Sequence, residues 1–292
     1  MAIDKLKLLR NMDISFDDIL FLHQPTLNEV TEALGENGDT EFYNGLWLMC
    51  SAAYDMPSVL YDMKKNFMNV SDWEFFRMMA PTISPEVLSL VLKEADGSGF
   101  SFYGFGEYER NLDGATDIVL YRPSFKDEDG NVKSEMMIDE SLYKKIIPVL
   151  QEMIGFTHKG KKAGNRSTLK LLIELDKKDR AKAARKKNGN ESSIFNMVVS
   201  LVNTEECKYN YDTIFDLTLY QLLKSFQQIQ GKKAAIALLQ GSCSGFVDTS
   251  KIPKEDMSWT YSDEKYKARS RKLVNDNTKE GSKPTSRHTK HK

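Results

Sequence analysis

Apolar side chains fall at Phe215, Leu219, Leu222, Phe226 and Ile229 in 4-3-4-3 spacing, and Ile236 continues the row one heptad later. An α-helix brings residues so spaced to one face. Tyr220 and Leu223 widen the stripe, and Gly231 and Gly241 punctuate it. A stripe of this length has to be covered. The cover is either the core of the same chain or a partner. These five residues are therefore core candidates and partner-binding candidates at once.

Helical patterns also precede the stripe. Thr26 can cap "LNEVTEAL", which Gly35 closes. "TEFYNGLWLMCSAAYD" places Phe42, Leu46, Cys50 and Ala53 on one face, and "PSVLYDMKKNF" starts at Pro57. "SDWEFFRMMA" opens on the Ser71/Glu74 capping-box pattern. "SPEVLSLVLKEA", with Ser84 as cap, runs up to Gly97. Ahead of these, the first 12 residues read as a short amphipathic piece, and "DISFDDILFLHQP" reads as a short strand or extended arm that Pro25 ends.

The texture changes at Gly97. Three period-2 runs separated by turn residues predict a small antiparallel β-meander over 98–138. "DESLYKKIIPVLQEMIG" returns to helix, with Leu142, Ile146, Leu150 and Met153 on one face. Pro148 inside it predicts a kink or two short helices. The expected fold class is α+β, mainly α. Its parts are a helical N-terminal part (1–97), the β-meander (98–138), a helical C-terminal part with a basic helix (139–261) and a disordered basic tail (262–292). In the tail, residues 265–292 carry 10 Lys and Arg against two acids.

Composition excludes several classes. Of 292 residues, 40% are hydrophobic and 28% charged, which is a globular balance. No run approaches the length of a membrane-spanning helix, and the start lacks the apolar stretch of a secretory signal. Cys50, Cys207 and Cys243 form no CxxC pair and read as free thiols. His23, His158, His288 and His291 show no zinc spacing. The adjacent carboxylates at Asp17–Asp18, Asp127–Glu128–Asp129, Glu205–Glu206 and Glu255–Asp256 read as solvated surface. Cys243, between Ser242 and Ser244, reads as a turn or helix-end residue. No catalytic residue, cofactor or metal is expected, and the chain reads as a non-enzyme.

Charge is split along the chain. Residues 1–150 hold 13 Lys and Arg against 26 Asp and Glu, whereas residues 151–292 hold 28 against 16. Such a split permits head-to-tail self-association, an intramolecular clasp, or two solvated surfaces of opposite sign. The most basic folded stretch, 158–187, has 12 Lys and Arg against three acids. Ser167 can cap a helix there, and Leu169, Leu172 and Ile173 anchor its first turns. Beyond Leu175 the apolar face is lost. That predicts projection into solvent, or docking on an acidic partner or nucleic acid. Asp176 and Arg180 are spaced to support a free-standing helix. The basic patch comprises Lys170, Lys177, Lys178, Arg180, Lys182, Arg185, Lys186 and Lys187. Phe156 and Tyr266 are the only aromatic residues in or near the basic stretches, which argues against base stacking.

The segment "NYDTIFDLTLYQLLKSFQQIQ", followed by "MSWTY", resembles the C-terminal part of tail-module proteins of tailed bacteriophages of Gram-positive hosts. "ISFDDILFLHQPTLNEVTEALGE", "FYNGLWLMCSAAYDM" and "VSDWEFF" are similar to their N-terminal order. The resemblance spans roughly residues 12–261 and rests on apolar and aromatic positions. It implies a tail assembly chaperone in the host cytoplasm. Such a protein coats the tape-measure protein and keeps it soluble until tail-tube subunits polymerise, and it self-associates. The alternatives are a structural virion protein of the tail or head–tail junction, and a basic nucleic-acid-binding protein. No membrane partner is expected.

Overall fold

The computed structural model describes residues 3–16, 20–35, 38–94, 105–109, 116–121, 135–158, 165–186 and 193–243, with 252, 257, 258 and 260. In chain order the elements are α1 (Lys5–Leu9), β1 (Ile14–Phe16), β2 (Leu20–Leu22), α2 (Leu27–Leu34), α3 (Gly38–Cys50), α4 (Pro57–Asp62), α5 (Asp72–Met79) and α6 (Pro85–Val91). Then come β3 (Leu92–Glu94), β4 (Phe105–Glu109), β5 (Thr116–Tyr121), β6 (Glu135–Ile138), α7 (Glu140–Met153), α8 (Arg166–Lys186), α9 (Ser193–Val202) and α10 (Leu219–Cys243). Single 3-10 turns stand at Ala53–Asp55, Ala80–Thr82 and Ile214–Asp216. The protein is thus α+β and mainly helical. It divides into two units, Met1–Leu223 and Lys224–Lys292.

The expected meander is present as the antiparallel sheet β4-β5-β6, with Phe105 opposite Leu120 and Ile118 opposite Ile138. The expected disordered tail, 262–292, lies outside the described residues.

A second antiparallel sheet, β1-β2-β3, forms in the N-terminal part. Its first two strands are the expected arm folded into a hairpin, with Ile14 opposite Leu22. Alternation places Ile14, Phe16, Leu20 and Leu22 on the buried side. The third strand corrects the helix expected to run to Gly97. Helix α6 stops at Val91, and Leu92–Glu94 pairs with β2, Leu92 opposite Leu22. Leu, Lys and Glu favour helix locally, but ladder bonds and the burial of Leu92 outweigh that preference. Ser84 stands at the N-cap of α6 as expected but makes no side-chain cap hydrogen bond; its hydroxyl donates to Glu86 Oε2 at 2.6 Å.

Local signals hold elsewhere. At Ser71 the hydroxyl accepts the Glu74 N–H at 3.1 Å. Gly35 closes α2 with φ of 66°, a left-handed conformation that suits glycine. Gly45 lets α3 pack against α6: a Cβ there would lie 2.9 Å from Val87 Cγ1. Helix α7 runs continuously through Pro148, which corrects the expectation of two short helices. Pro148 and Lys144 lie on the exposed side, where water can serve the carbonyl that proline leaves without a donor. Ile146, Leu150 and Met153 are buried as the periodicity predicts, and the Tyr143 ring packs tilted on Phe76 of α5 with ring centroids 4.9 Å apart.

Thr26 and Glu29 cap α2 reciprocally. The Glu29 N–H donates to Thr26 Oγ1 at 3.2 Å, while Thr26 N–H donates to Glu29 Oε2 at 2.7 Å. His23 lies between Asp13 Oδ1 at 2.7 Å and Glu29 Oε1 at 3.4 Å. Burial opposes ionisation of Glu29, but the Thr26 N–H and hydroxyl and the charge on His23 outweigh it. The carboxyl is held below its ordinary value of 4.5. A lowered folded value contributes stability above the ordinary value. That contribution is lost as pH falls through the folded value. The Glu29→Gln variant is therefore expected to show a flatter loss of stability between about pH 5 and pH 3 in urea titrations. Parallel acid limbs for the two proteins would refute this.

Candidate functional site

The basic helix α8 is held to another helix as far as Arg180, although Lys177 to Lys182 are exposed. It lies along α4. Helix α4 begins Pro57–Ser58 after Met56, and Met56 offers no side-chain cap. The first N–H groups of such a helix need an outside acceptor. Ser58, 0% exposed, finds one 118 residues away: its N–H donates to Asp176 Oδ2 of α8 at 2.9 Å. Arg180 Nη1 donates to Ser58 Oγ at 3.1 Å. Asp176 and Arg180, spaced for mutual support, thus converge on one serine of α4. Lys177 Nζ is 3.0 Å from Asp62 Oδ1 and sits 4.7 Å from the centre of the Tyr61 ring. Lys177 and Asp62 thus form one ion pair between the basic and the acidic half, and with the Ser58 contacts it makes a clasp between α8 and α4.

Beneath the clasp is a satellite core. Ala53, Leu60, Phe67, Phe75 and Ile173 are buried together, and Leu169 and Leu172 pack against them. The apolar residues expected to anchor α8 do so. The helix opens two residues earlier than expected: Asn165, not Ser167, caps it, its Oδ1 accepting the Thr168 N–H at 2.8 Å.

Removing the Asp176 carboxylate strands a buried N–H and leaves α4 uncapped. The Asp176→Ala variant is expected to cost about 1–2 kcal/mol in urea denaturation. Lys177→Ala removes only exposed contacts, the Asp62 pair and the Tyr61 ring, and is expected to cost about 0.2–1 kcal/mol. Equal costs would show that the cap across the two helices contributes nothing.

At the end of α4 lies an open groove of about 620 Å³. Its lining includes Tyr61, Asp62, Lys64, Lys65, Phe67, Leu169 and Ile173. Phe67, Leu169 and Ile173 give it an apolar floor. Met63 and Met68, near it in the chain, are exposed, as are Leu171 at 54% and Leu175 at 46% on the outward side of α8. Methionine and aromatic surfaces adapt to varied apolar partners.

A second polar cluster ties the end of α7 to the turn after α3. His158 Nδ1 is 2.6 Å from Asp55 Oδ2, which also accepts the Ala52 N–H at 3.0 Å. Gln151 Nε2 donates to Cys50 O at 3.2 Å, and Phe156 meets His158 edge-on at 5.0 Å. The partners lie on separate segments that the fold brings together. Burial pushes the Cys50 thiol well above its ordinary range, so it is no ready nucleophile. Among the described residues no group of three or more His, Cys, Asp or Glu could hold a metal ion.

The stripe residues are distributed unevenly. Leu219 and Leu222 are buried, and Leu219 borders a small pocket with Phe42, Leu46, Met153 and Ile154. Phe215, Phe226 and Ile229 are half-buried. In the basic patch, Lys170, Lys177, Lys178, Arg180 and Lys182 are exposed, and Arg185 and Lys186 belong to the last turn of α8. Lys187 lies outside the described residues. Cys243 is the last residue of α10. Sequence reasoning missed Ser58, Asp62, Lys64 and Phe67. Phe67 and the apolar anchors of α8 were visible as hydrophobic positions, but nothing in either segment signals that the two would meet.

Residues 185–262 match the family model for the YomV second domain, a phage-derived family. The match spans about a quarter of the chain and contains 210–230, one of the segments that carry the phage resemblance. It fits a phage protein. No curated protein and no solved structure matches the chain. Among the described residues no helix is long and apolar enough to cross a membrane.

Proposed function

We propose that this chain is a non-enzymatic phage tail assembly chaperone that acts in the host cytoplasm. It binds the tape-measure protein and keeps it soluble until tail-tube subunits assemble around it. The observation that carries this reading is the open α4–α8 groove, with an apolar floor and exposed Met63, Met68 and Tyr61 near it. A tape-measure protein is a long helical chain with apolar stripes, and a holder for it needs an adaptable apolar surface. The phage-family match and the tail-module resemblance support the setting. Against a nucleic-acid role, Lys177 and Arg180 are engaged by α4, which leaves fewer cations of α8 for phosphates.

The test is co-expression with the tape-measure protein of the same genome. The expected result is that the tape measure becomes soluble and co-elutes, and that purified virions lack this chain by mass spectrometry. A tape measure that stays insoluble overturns the reading. Stoichiometric amounts of the chain in virions would favour a structural tail or head–tail role instead.

A further inference from the structure

We infer that the α4–α8 groove docks an amphipathic helix of a partner protein bearing a carboxylate beside its apolar stripe, and that Lys64 pairs with that carboxylate. This rests on the binding role proposed above and names the chemistry of what is bound. Three observations lead to it.

The first is the shape and lining of the groove. Its volume is in the range that receives several side chains, and its floor of Phe67, Leu169 and Ile173 suits apolar ones. The second is its charge. Asp62 is neutralised by Lys177 at 3.0 Å, and Lys65 lies 3.5 Å from Glu74. Lys64 has no ion-pair partner among the described residues. The uncompensated charge on the rim is therefore positive, and it complements a carboxylate.

The third is the backbone at Lys64. Helix α4 closes with Lys64 N–H donating to Tyr61 O at 2.9 Å and Lys65 N–H donating to Leu60 O at 2.8 Å. This closure places Lys64 at φ of 58°, where glycine is usual. Among the described residues the other non-glycine residue with positive φ is Asn11, a type that tolerates it. A lysine there bears a conformational cost that glycine would avoid. Strain of this kind collects where a side chain is used.

The test uses the full chain and two designed fluorescent helices. They share an apolar stripe and differ only in flanking Glu or flanking Lys. The Glu helix is expected to bind about fivefold more tightly at low salt, and the preference should fade as salt rises. Lys64→Gly should abolish the preference while holding or raising Tm, which separates recognition from folding. Lys64→Glu should reverse the preference. Equal binding of both helices, no binding of either, or an unchanged preference in Lys64→Gly overturns the proposal. So does a dimer, seen by sedimentation, that Lys64→Glu dissociates, since a second copy would then cover the groove. A positive helix result beside an insoluble tape measure would retain the groove and remove the chaperone role. A soluble tape measure indifferent to Lys64 would do the opposite.

Discussion

Replacing Phe75 by alanine is expected to lower stability by about 3–5 kcal/mol. Phe75 is fully buried in the satellite core, and that core is what holds α8 to the rest of its unit. Removing the ring takes away its transfer free energy and leaves a cavity among Leu60, Phe67 and Ile173. The loss should be felt first in α8, because its polar attachments to Ser58 and Asp62 are individually weak. Urea denaturation gives the total. Hydrogen exchange of the α8 amides gives the location, and they should exchange faster than those of α3 in the variant. A cost below about 1 kcal/mol, or unchanged exchange in α8, would mean that this core does not anchor the helix.

The second large effect is expected at Leu222. This residue is 0% exposed, so Leu222→Ala should cost about 2–5 kcal/mol. Phe226 lies on the same stripe but is half-buried, and Phe226→Ala should cost less. The pair separates the two readings of the stripe. A stability loss confined to Leu222 would mean that the first turns of α10 belong to the core. A near-neutral Leu222→Ala accompanied by loss of partner binding would mean that the stripe is an interface. Equilibrium unfolding and the tape-measure pull-down, run on both variants, give the answer.

The phage match and the groove bear on different parts of the chain. The matched stretch, 185–262, covers α9 and α10, whereas the groove is built by α4, the turn after it and the first turns of α8. A binding function located in the groove would therefore sit outside the matched domain. Variants at Lys64 and variants at Phe226 address the two regions separately.

Features governed by neighbours a few residues apart were legible in the chain's own order of residues. Thr26, Ser71 and Gly35 placed helix ends, because caps are local hydrogen bonds and local backbone conformation. The periodicity of Ile146, Leu150 and Met153, and of Leu219 and Leu222, picked out buried faces, because 3.6-residue spacing puts such side chains on one side. Alternation after Gly97 gave the meander. The rest depended on packing between distant segments. Leu92–Glu94 became a strand because β2 was there to pair with it, against the residues' own preference for helix. Asp176 capped α4 from 118 residues away, where its spacing to Arg180 had pointed to a pair within one helix. Lys177 of the basic half meets Asp62 of the acidic half, a pairing that the opposed charges of the two halves permitted but did not locate. In each case the deciding energy comes from a contact between segments far apart in the chain, and neither segment carries a record of the other.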